Sequence, residues 1–151
     1  MPVGKTRSKP TDSIVGYSGK PLVTKLGFRP GMRIALFDPP KDYQQWLTPM
    51  PPGIEFVTAP DSGRFAAVHC FVMHRTELAQ RLARARRLME DNGFIWISWP
   101  KKSAKVATDV TEDVIRDMAL KGDLVDVKVC AVSEVWSGLK LCVRRVFRAA
   151  C

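Results

Sequence analysis

Short apolar runs alternate with longer amphipathic stretches along most of the chain. Four of the apolar runs are rich in β-branched and aromatic residues and are bounded by turn-forming residues, which is the pattern of buried strands. These runs cover residues 32–37, 54–57, 65–72 and 94–99. After the third run, leucines recur at helical spacing from Leu78 to Leu88, which predicts a helix over about residues 75–91 that ends at Asn92-Gly93.

Three shorter helices complete the predicted set. They cover about residues 20–27, 41–47 and 109–121. The last begins at Asp109 or Thr111, and Asp109 and Glu112 have the spacing of a capping box, in which side chains bind free N–H groups of the first helical turn. That spacing favours a structural role for these acids over acid–base chemistry.

The chain ends in two runs that alternate apolar and polar residues over part of their length, residues 125–132 and 139–146. Such alternation marks half-exposed strands, so the pair predicts an antiparallel hairpin at a sheet edge. Strands that alternate with helices predict a three-layer, mainly parallel, Rossmann-like α/β sheet. The closing hairpin resembles the end of class I methyltransferase folds. That resemblance implies the strand order 54–57, 32–37, 65–72, 94–99, the last strand, and 125–132 at the edge.

The composition is that of an ordinary globular domain with excess positive charge. Of the 151 residues, 46% are hydrophobic and 26% charged, and the formal net charge is +9. Residues 1–16 are polar and basic and are expected to form a flexible tail before a single α/β domain over residues 17–148. The N-terminus has no secretory h-region, and no apolar run is as long as a membrane helix. A cytoplasmic protein without membrane contact is therefore expected.

The cysteines and histidines do not have metal-ligand spacing. None of the four cysteines forms a C-x-x-C pair, and His69 and His74 do not complete a ligand set with them. Cys70, Cys130 and Cys142 lie in strand-like runs and are expected to be buried thiols. His69, inside a strand, is expected to be packed and hydrogen-bonded. Neither a metal site nor a disulfide framework is predicted.

Polar and aromatic residues gather at the predicted carboxyl edge of the sheet, where open α/β sheets usually bind ligands. Lys101 and Lys102 follow the fourth strand and could neutralise a phosphate or a carboxylate. The expected ligand is therefore an anionic small molecule, and the favoured function is a ligand-binding or non-catalytic domain with an anion-accepting cleft. The ligand-binding candidates are Asp38, His74, Trp99, Lys101, Lys102, Glu134, Trp136 and Lys140.

Simpler interpretations of these residues stay open. The lysines could be solvated loop residues, His74 could occupy a helix N-terminus, and the tryptophans could pack in the core. If the cleft is catalytic instead, the protein is a divergent transferase. Its proton carriers would be His74, Glu112 or Glu134.

A nucleic-acid-binding or protein-binding module is a further alternative. Arg81, Arg84 and Arg87 fall on or near one flank of the helix predicted over residues 75–91. A flank of this kind contacts phosphate groups or is simply solvated. The sequence contains no recognised nucleic-acid-binding motif, and it leaves the oligomeric state open.

The turn after the first strand argues against the usual cofactor mode of such sheets. S-adenosylmethionine and NAD bind at a glycine-rich turn, because only glycine lets the backbone approach the ligand closely. Here the turn is Asp38-Pro39-Pro40, and proline has no N–H to donate. No cofactor is therefore predicted.

Several segments resemble a bacterial family of small proteins that carry a domain of unknown function. The resemblance rests chiefly on Trp99-Pro100-Lys101-Lys102, on residues 108–116, and on residues 125–132 with 136–140. It covers about residues 17–146 and implies a stand-alone cytoplasmic bacterial protein. It implies no catalytic residues.

Overall fold

The computed structural model describes residues 20–144, which include one six-stranded sheet of order β2-β1-β3-β4-β6-β5. The strands are β1 (Arg33–Phe37), β2 (Glu55–Thr58), β3 (Phe65–Phe71), β4 (Met89–Pro100), β5 (Leu124–Ala131) and β6 (Trp136–Val143). The first four are parallel, and β6 is antiparallel to both β4 and β5, so β5 runs parallel to β4. The predicted fold class and strand order are confirmed. The predicted tail, residues 1–16, lies outside the described residues.

Helices cover both faces of the sheet and make the predicted third layer. They are α1 (Leu22–Lys25), α2 (Tyr43–Trp46), α3 (Arg75–Leu88) and α4 (Glu112–Lys121). The apolar side chains of α3 and α4 share one core with one face of the sheet, which we call the long-helix face. Those of α1 and α2 share a second core with the opposite face, the short-helix face.

Several boundaries differ from the sequence prediction. The helix α3 ends at Leu88 because the chain enters β4 before Asn92-Gly93. The strand β6 begins at Trp136 rather than Leu139, since residues 136–138 pair with the end of β4. A short turn permits this early start, in which the Ser133 hydroxyl accepts hydrogen bonds from the N–H groups of Val135 and Trp136.

The capping prediction for α4 was wrong in part. Thr111 is the N-cap, and its hydroxyl accepts a hydrogen bond from the N–H of Val114 at 3.2 Å. Asp109 instead accepts a hydrogen bond from the N–H of Arg75, at the start of α3, at 2.8 Å. Asp109 therefore binds the N-terminus of α3, and Thr111 alone caps α4.

A buried polar network joins the sheet to α2 on the short-helix face. His69 and Ser98, on β3 and β4, are fully buried, and Tyr43 of α2 is almost so. The Tyr43 hydroxyl lies 2.8 Å from His69 Nδ1, and His69 Nε2 lies 2.8 Å from Ser98 Oγ. The expectation of a packed, hydrogen-bonded His69 is confirmed. Burial lowers the pKa of His69 to about 3, so the imidazole is neutral within the network.

The three strand cysteines are buried or half-buried as the sequence predicts, but not all of them are free thiols. Cys70 is a buried free thiol, and Cys130 is a half-buried free thiol. Cys142 is also buried, but it is disulfide-bonded. The expectation of three free thiols was therefore wrong for Cys142, because strand spacing alone does not show which cysteines meet.

Gly93 is a position that tolerates no side chain. A Cβ built there would lie 2.5 Å from the carbonyl oxygen of Ala66 on the neighbouring strand, so the backbone itself would have to move. We expect Gly93→Ala to lower the free energy of unfolding by about 1–3 kcal/mol, measured by urea denaturation. Gly122→Ala is the matched control, because a Cβ at Gly122 meets Ala119 at an ordinary 3.8 Å. Equal losses in the two variants would contradict this account.

Candidate functional site

The corner between β3 and α3 at the carboxyl edge is closed by the loop that follows β4. The Thr108 hydroxyl donates to the carbonyl oxygen of Met73 at 2.7 Å, and Arg75 Nε donates to the carbonyl oxygen of Asp109 at 2.9 Å. His74 is the exposed N-cap of α3, and its N–H donates to Glu77 Oε1 at 3.3 Å. His74 therefore occupies a helix N-terminus, as the simpler interpretation of this residue predicted.

Ion pairs cover the next part of the edge, after β1 and β2. Asp38 has a left-handed backbone with φ of 55°, and its carboxylate accepts a hydrogen bond from Arg81 Nη2 at 3.0 Å. Arg84 donates to Asp61 Oδ1 at 3.0 Å. The guanidinium groups of Arg81 and Arg84 both lie over the Phe37 ring, at 5.0 Å and 5.1 Å from its centroid. These two arginines therefore fold back onto the sheet edge.

The three helix arginines of the predicted flank differ in their surroundings. Arg81 and Arg84 are bound to acids of the sheet edge, as described above. Arg86 is bound as well, to Asp91 and Asp123. Arg87, the third nucleic-acid candidate, is exposed. Sequence spacing places residues on a helix face but does not show which acids approach that face from distant loops.

The turn after β1 lacks the features of the usual cofactor cradle. Asp38 rather than glycine adopts the left-handed conformation. Pro39 and Pro40 have no N–H, and the Arg81 guanidinium already holds the Asp38 carboxylate. The residues present at this turn therefore do not fit S-adenosylmethionine or NAD held in the usual way.

Trp99 and Trp136 lie on opposite faces of the sheet. Trp99 is 9% exposed and packs in the core of the long-helix face. Trp136 is half-buried on the short-helix face, with its ring edge-on to Phe71 at a centroid distance of 5.0 Å. The two tryptophans therefore do not line one cleft, and core packing accounts for Trp99.

Positive charge collects on the short-helix face at the β6–β5 side. Lys140 of β6 is directly opposite Lys128 of β5, and its Nζ lies 4.4 Å from the centroid of the Phe94 ring. Burial lowers the pKa of Lys140, and the nearby charges of Lys128 and Arg29 lower it further. Lys140 is therefore a half-buried cation whose charged neighbours are also cations.

A second group of charges lies where β4 ends. The N–H of Lys101 donates to the carbonyl oxygen of Val135 at 2.7 Å, which holds Lys101 against the β5–β6 turn. Burial lowers the pKa of Lys101. The negative charge of Glu134 raises that pKa in part, and the positive charge of Lys25, at the end of α1, lowers it further. Lys102 is exposed in a 3-10 turn, Lys102–Ala104.

These cations form a surface that we call the lysine face. Its members are Lys25, Arg29, Lys101, Lys128 and Lys140. All eight ion pairs between described residues are made by arginine, and neither Lys101, Lys128 nor Lys140 takes part in one. Five arginines are thus bound to acids, whereas these three lysines form no ion pair with a described residue, and Glu134 is the acid that acts on the charge of Lys101.

The structure divides the sequence candidates between two places. Lys101, Lys140, Glu134 and Trp136 belong to the lysine face or its border, whereas Asp38, His74, Trp99 and Lys102 do not. Sequence reasoning missed Lys25, Arg29 and Lys128. The register of the β5–β6 hairpin is the signal that would have identified Lys128, because it sets Lys128 opposite Lys140.

The remaining proton-carrier candidate, Glu112, has a structural partner. Its carboxylate binds Arg116, which also binds Asp113 and Asp126. Within residues 20–144, no group of three or more His, Cys, Asp or Glu side chains could hold a metal ion. No helix in this part of the chain is long and apolar enough to cross a membrane.

A family model matches residues 61–145, which is more than half of the chain, and its description is a protein of unknown function (DUF3052). The chain belongs to this family. The sequence resemblance to a family of unknown function is thereby confirmed. A search of curated proteins finds no match to this DUF3052 protein.

Solved structures share the fold at low sequence identity. Magnesium protoporphyrin IX methyltransferase from Synechocystis PCC 6803 is 14% identical with a TM-score of 0.53, covering 82% of this chain and 74% of its own. Ribosomal protein L11 methylase from Lactobacillus delbrueckii subsp. bulgaricus is 9% identical with a TM-score of 0.51, covering 82% and 76%. These likenesses show that the DUF3052 protein has a methyltransferase-like fold.

Proposed function

We propose that this DUF3052 protein is a non-catalytic ligand-binding domain that takes an anionic ligand on the lysine face. The observation that carries the proposal is the cross-strand pair Lys128 and Lys140. Like charges directly opposite each other destabilise a sheet by up to about 1 kcal/mol. A bound anion would convert that repulsion into two favourable contacts.

The position of Lys140 supports the same function. Its Nζ rests over the Phe94 ring, and such a cation–π contact holds a lysine in one place at the surface. An ammonium group held in this way loses less conformational freedom when an anion binds. Lys101 supplies a further cation, close to Lys25 and the β5–β6 turn.

The divergent-transferase alternative finds less support in the side chains. Methyltransferase-like folds include proteins that bind S-adenosylmethionine, such as the Synechocystis enzyme crystallised with that ligand. Here the turn Asp38-Pro39-Pro40 and its bond to Arg81 argue against that cofactor in the usual position. Of the three predicted proton carriers, His74 caps α3 and Glu112 binds Arg116, which leaves Glu134 beside Lys101.

Calorimetric titration with inorganic tripolyphosphate at constant ionic strength tests the proposed function. We expect the natural protein to bind it and Lys128→Gln to bind it about tenfold more weakly, because one charge-assisted contact is lost. Without ligand, the same variant should be more stable by up to about 1 kcal/mol, because the repulsion with Lys140 is gone. S-adenosylmethionine should give no heat of binding.

Lys121→Gln is the matched control. Lys121 is an exposed lysine at the end of α4, away from the lysine face. It should leave tripolyphosphate affinity unchanged. Absence of binding by the natural protein, or equal affinity in the Lys128 and Lys121 variants, would contradict the proposed function.

A further inference from the structure

The cations of the lysine face form a row along the strand direction. Lys140 pairs with Trp96 in the middle of β4, whereas Lys101 follows Pro100 at its carboxyl end. Lys101 lies five positions after Trp96, so the row is roughly 16 Å long at the usual rise of a strand. A single phosphate or carboxylate would contact only one end of a row of this length.

A second line of cations runs beside the first. The residues between Lys25 and Arg29 lie against β4, because the Trp96 indole donates to the carbonyl oxygen of Leu26 and the Phe28 ring stacks on Phe94, the ring that Lys140 covers. The segment from Lys25 to Arg29 therefore follows the strand row from its carboxyl end toward its middle. Positive charge borders the surface between the two lines on both sides.

The position between the two ends of the row on β6 is buried. Trp136 and Lys140 point to the short-helix face, and Gly138 lies between them on that face. A Cβ at Gly138 would lie only 3.0 Å from Val132 and 3.1 Å from Trp96, because these two buried side chains cover it. A ligand on this face would therefore contact the cations rather than the β6 backbone between them.

We propose that the lysine face binds a linear chain of phosphate groups, as in a phosphodiester strand or a polyphosphate, and this inference rests on the proposed anion-binding function. A nucleic-acid strand carries one phosphate per 3.4 Å of helix axis, so a row of this length faces roughly four or five of them. The charges of Arg81, Arg84 and Arg86 are neutralised by acids. The lysine face is therefore a better candidate for the phosphate-binding surface than the α3 arginines.

The sequence on either side of the described residues has the same sign of charge. Residues 1–19 and residues 145–151 each contain more Lys and Arg than Asp and Glu. This charge adds to the general attraction of the protein for polyanions.

The test compares ligands of different length on the full-length protein. The probes are pyrophosphate, a single-stranded oligothymidylate of about 12 nucleotides and a linear inorganic polyphosphate of equal phosphate number, titrated over a range of KCl concentrations. We expect both chains to bind at least about tenfold more tightly than pyrophosphate. The chain that binds more tightly identifies the source of the phosphates.

The salt dependence separates direct phosphate contacts from a general charge effect. Each lysine that contacts a single strand contributes about 0.7 to the slope of log affinity against log salt, so Lys128→Gln and Lys140→Gln should each reduce the slope by about that amount. Lys121→Gln and Arg87→Gln are controls of equal charge change and should retain the affinity and the slope, apart from a small effect of net charge.

Three results would overturn the inference. Equal affinity for pyrophosphate and for both chains would reject a linear site while leaving the proposed anion-binding function intact. Chain binding that Arg87→Gln reduces as much as Lys140→Gln would place the phosphates elsewhere. Absence of binding to any probe would reject this inference and the proposed function together.

Discussion

Lowering the pH from about 7 to about 3 is expected to reduce the free energy of unfolding by about 4–5 kcal/mol through His69 alone. Burial lowers the pKa of His69 from 6.5 to about 3. The unfolded chain takes up this proton below pH 6.5, whereas the folded protein does so only near pH 3. Protonation therefore favours the unfolded chain throughout that window, and the stability present above it is lost as the pH falls.

Urea denaturation at a series of pH values measures this effect as a difference between variants. His69→Gln keeps a side chain that can both donate and accept hydrogen bonds between Tyr43 and Ser98, but it does not titrate. Its stability should fall less steeply with acid than that of the natural protein. His74→Gln removes an exposed histidine and should retain the natural pH dependence. If the free energy of unfolding depended on pH equally in the His69 and His74 variants, the buried network would not be the source of the acid sensitivity.

Trp96→Ala is expected to lower the free energy of unfolding by about 3–5 kcal/mol. Trp96 is fully buried, and its indole Nε1 donates to the carbonyl oxygen of Leu26 at 2.9 Å. That bond ties β4 to the residue after α1, and the indole ring also lies against Gly138. The substitution therefore leaves a large cavity, an unsatisfied carbonyl group and a loosened support beneath the lysine face.

Two further variants separate the contributions of the indole. Trp96→Phe keeps an aromatic ring but lacks the donor, so its loss should be smaller than that of Trp96→Ala. Trp46→Ala removes a half-buried indole of α2 and should cost less than Trp96→Ala. Urea denaturation curves for the three variants measure these losses in the free energy of unfolding. A loss below about 1 kcal/mol for Trp96→Ala would mean that the interior repacks around the deletion.

The backbone arrangement could be predicted because it depends on local patterns. The apolar runs and the alternation of residues 125–132 predicted the strands, and the resemblance of the closing hairpin to class I methyltransferase folds supplied the observed strand order. The start of β6 was misplaced because Trp136 pairs with Pro100 of β4, and nothing in the local sequence marks that contact. Element types follow from periodicity, whereas their ends follow from tertiary pairing.

The candidate site could be predicted only in part, because its charges are sorted by contacts distant in sequence. Asp38 is 43 positions from Arg81, so the ion pair that binds this helix arginine to the sheet edge has no local signal. Lys128 becomes important only through the hairpin register that sets it opposite Lys140. Sequence reasoning identified Lys101 and Lys140 as ligand contacts, but it grouped them with residues that lie elsewhere on the molecule.

The most direct test of the anion-binding account is a map of backbone amide chemical-shift changes on the ¹⁵N-labelled protein during titration with inorganic tripolyphosphate. The account predicts saturable changes at Lys128, Lys140 and Lys101, and at the segment from Lys25 to Arg29, with little change along the exposed side of α3. Changes centred on Arg81 to Arg87 or on the turn at Asp38, or no saturable change at all, would contradict it.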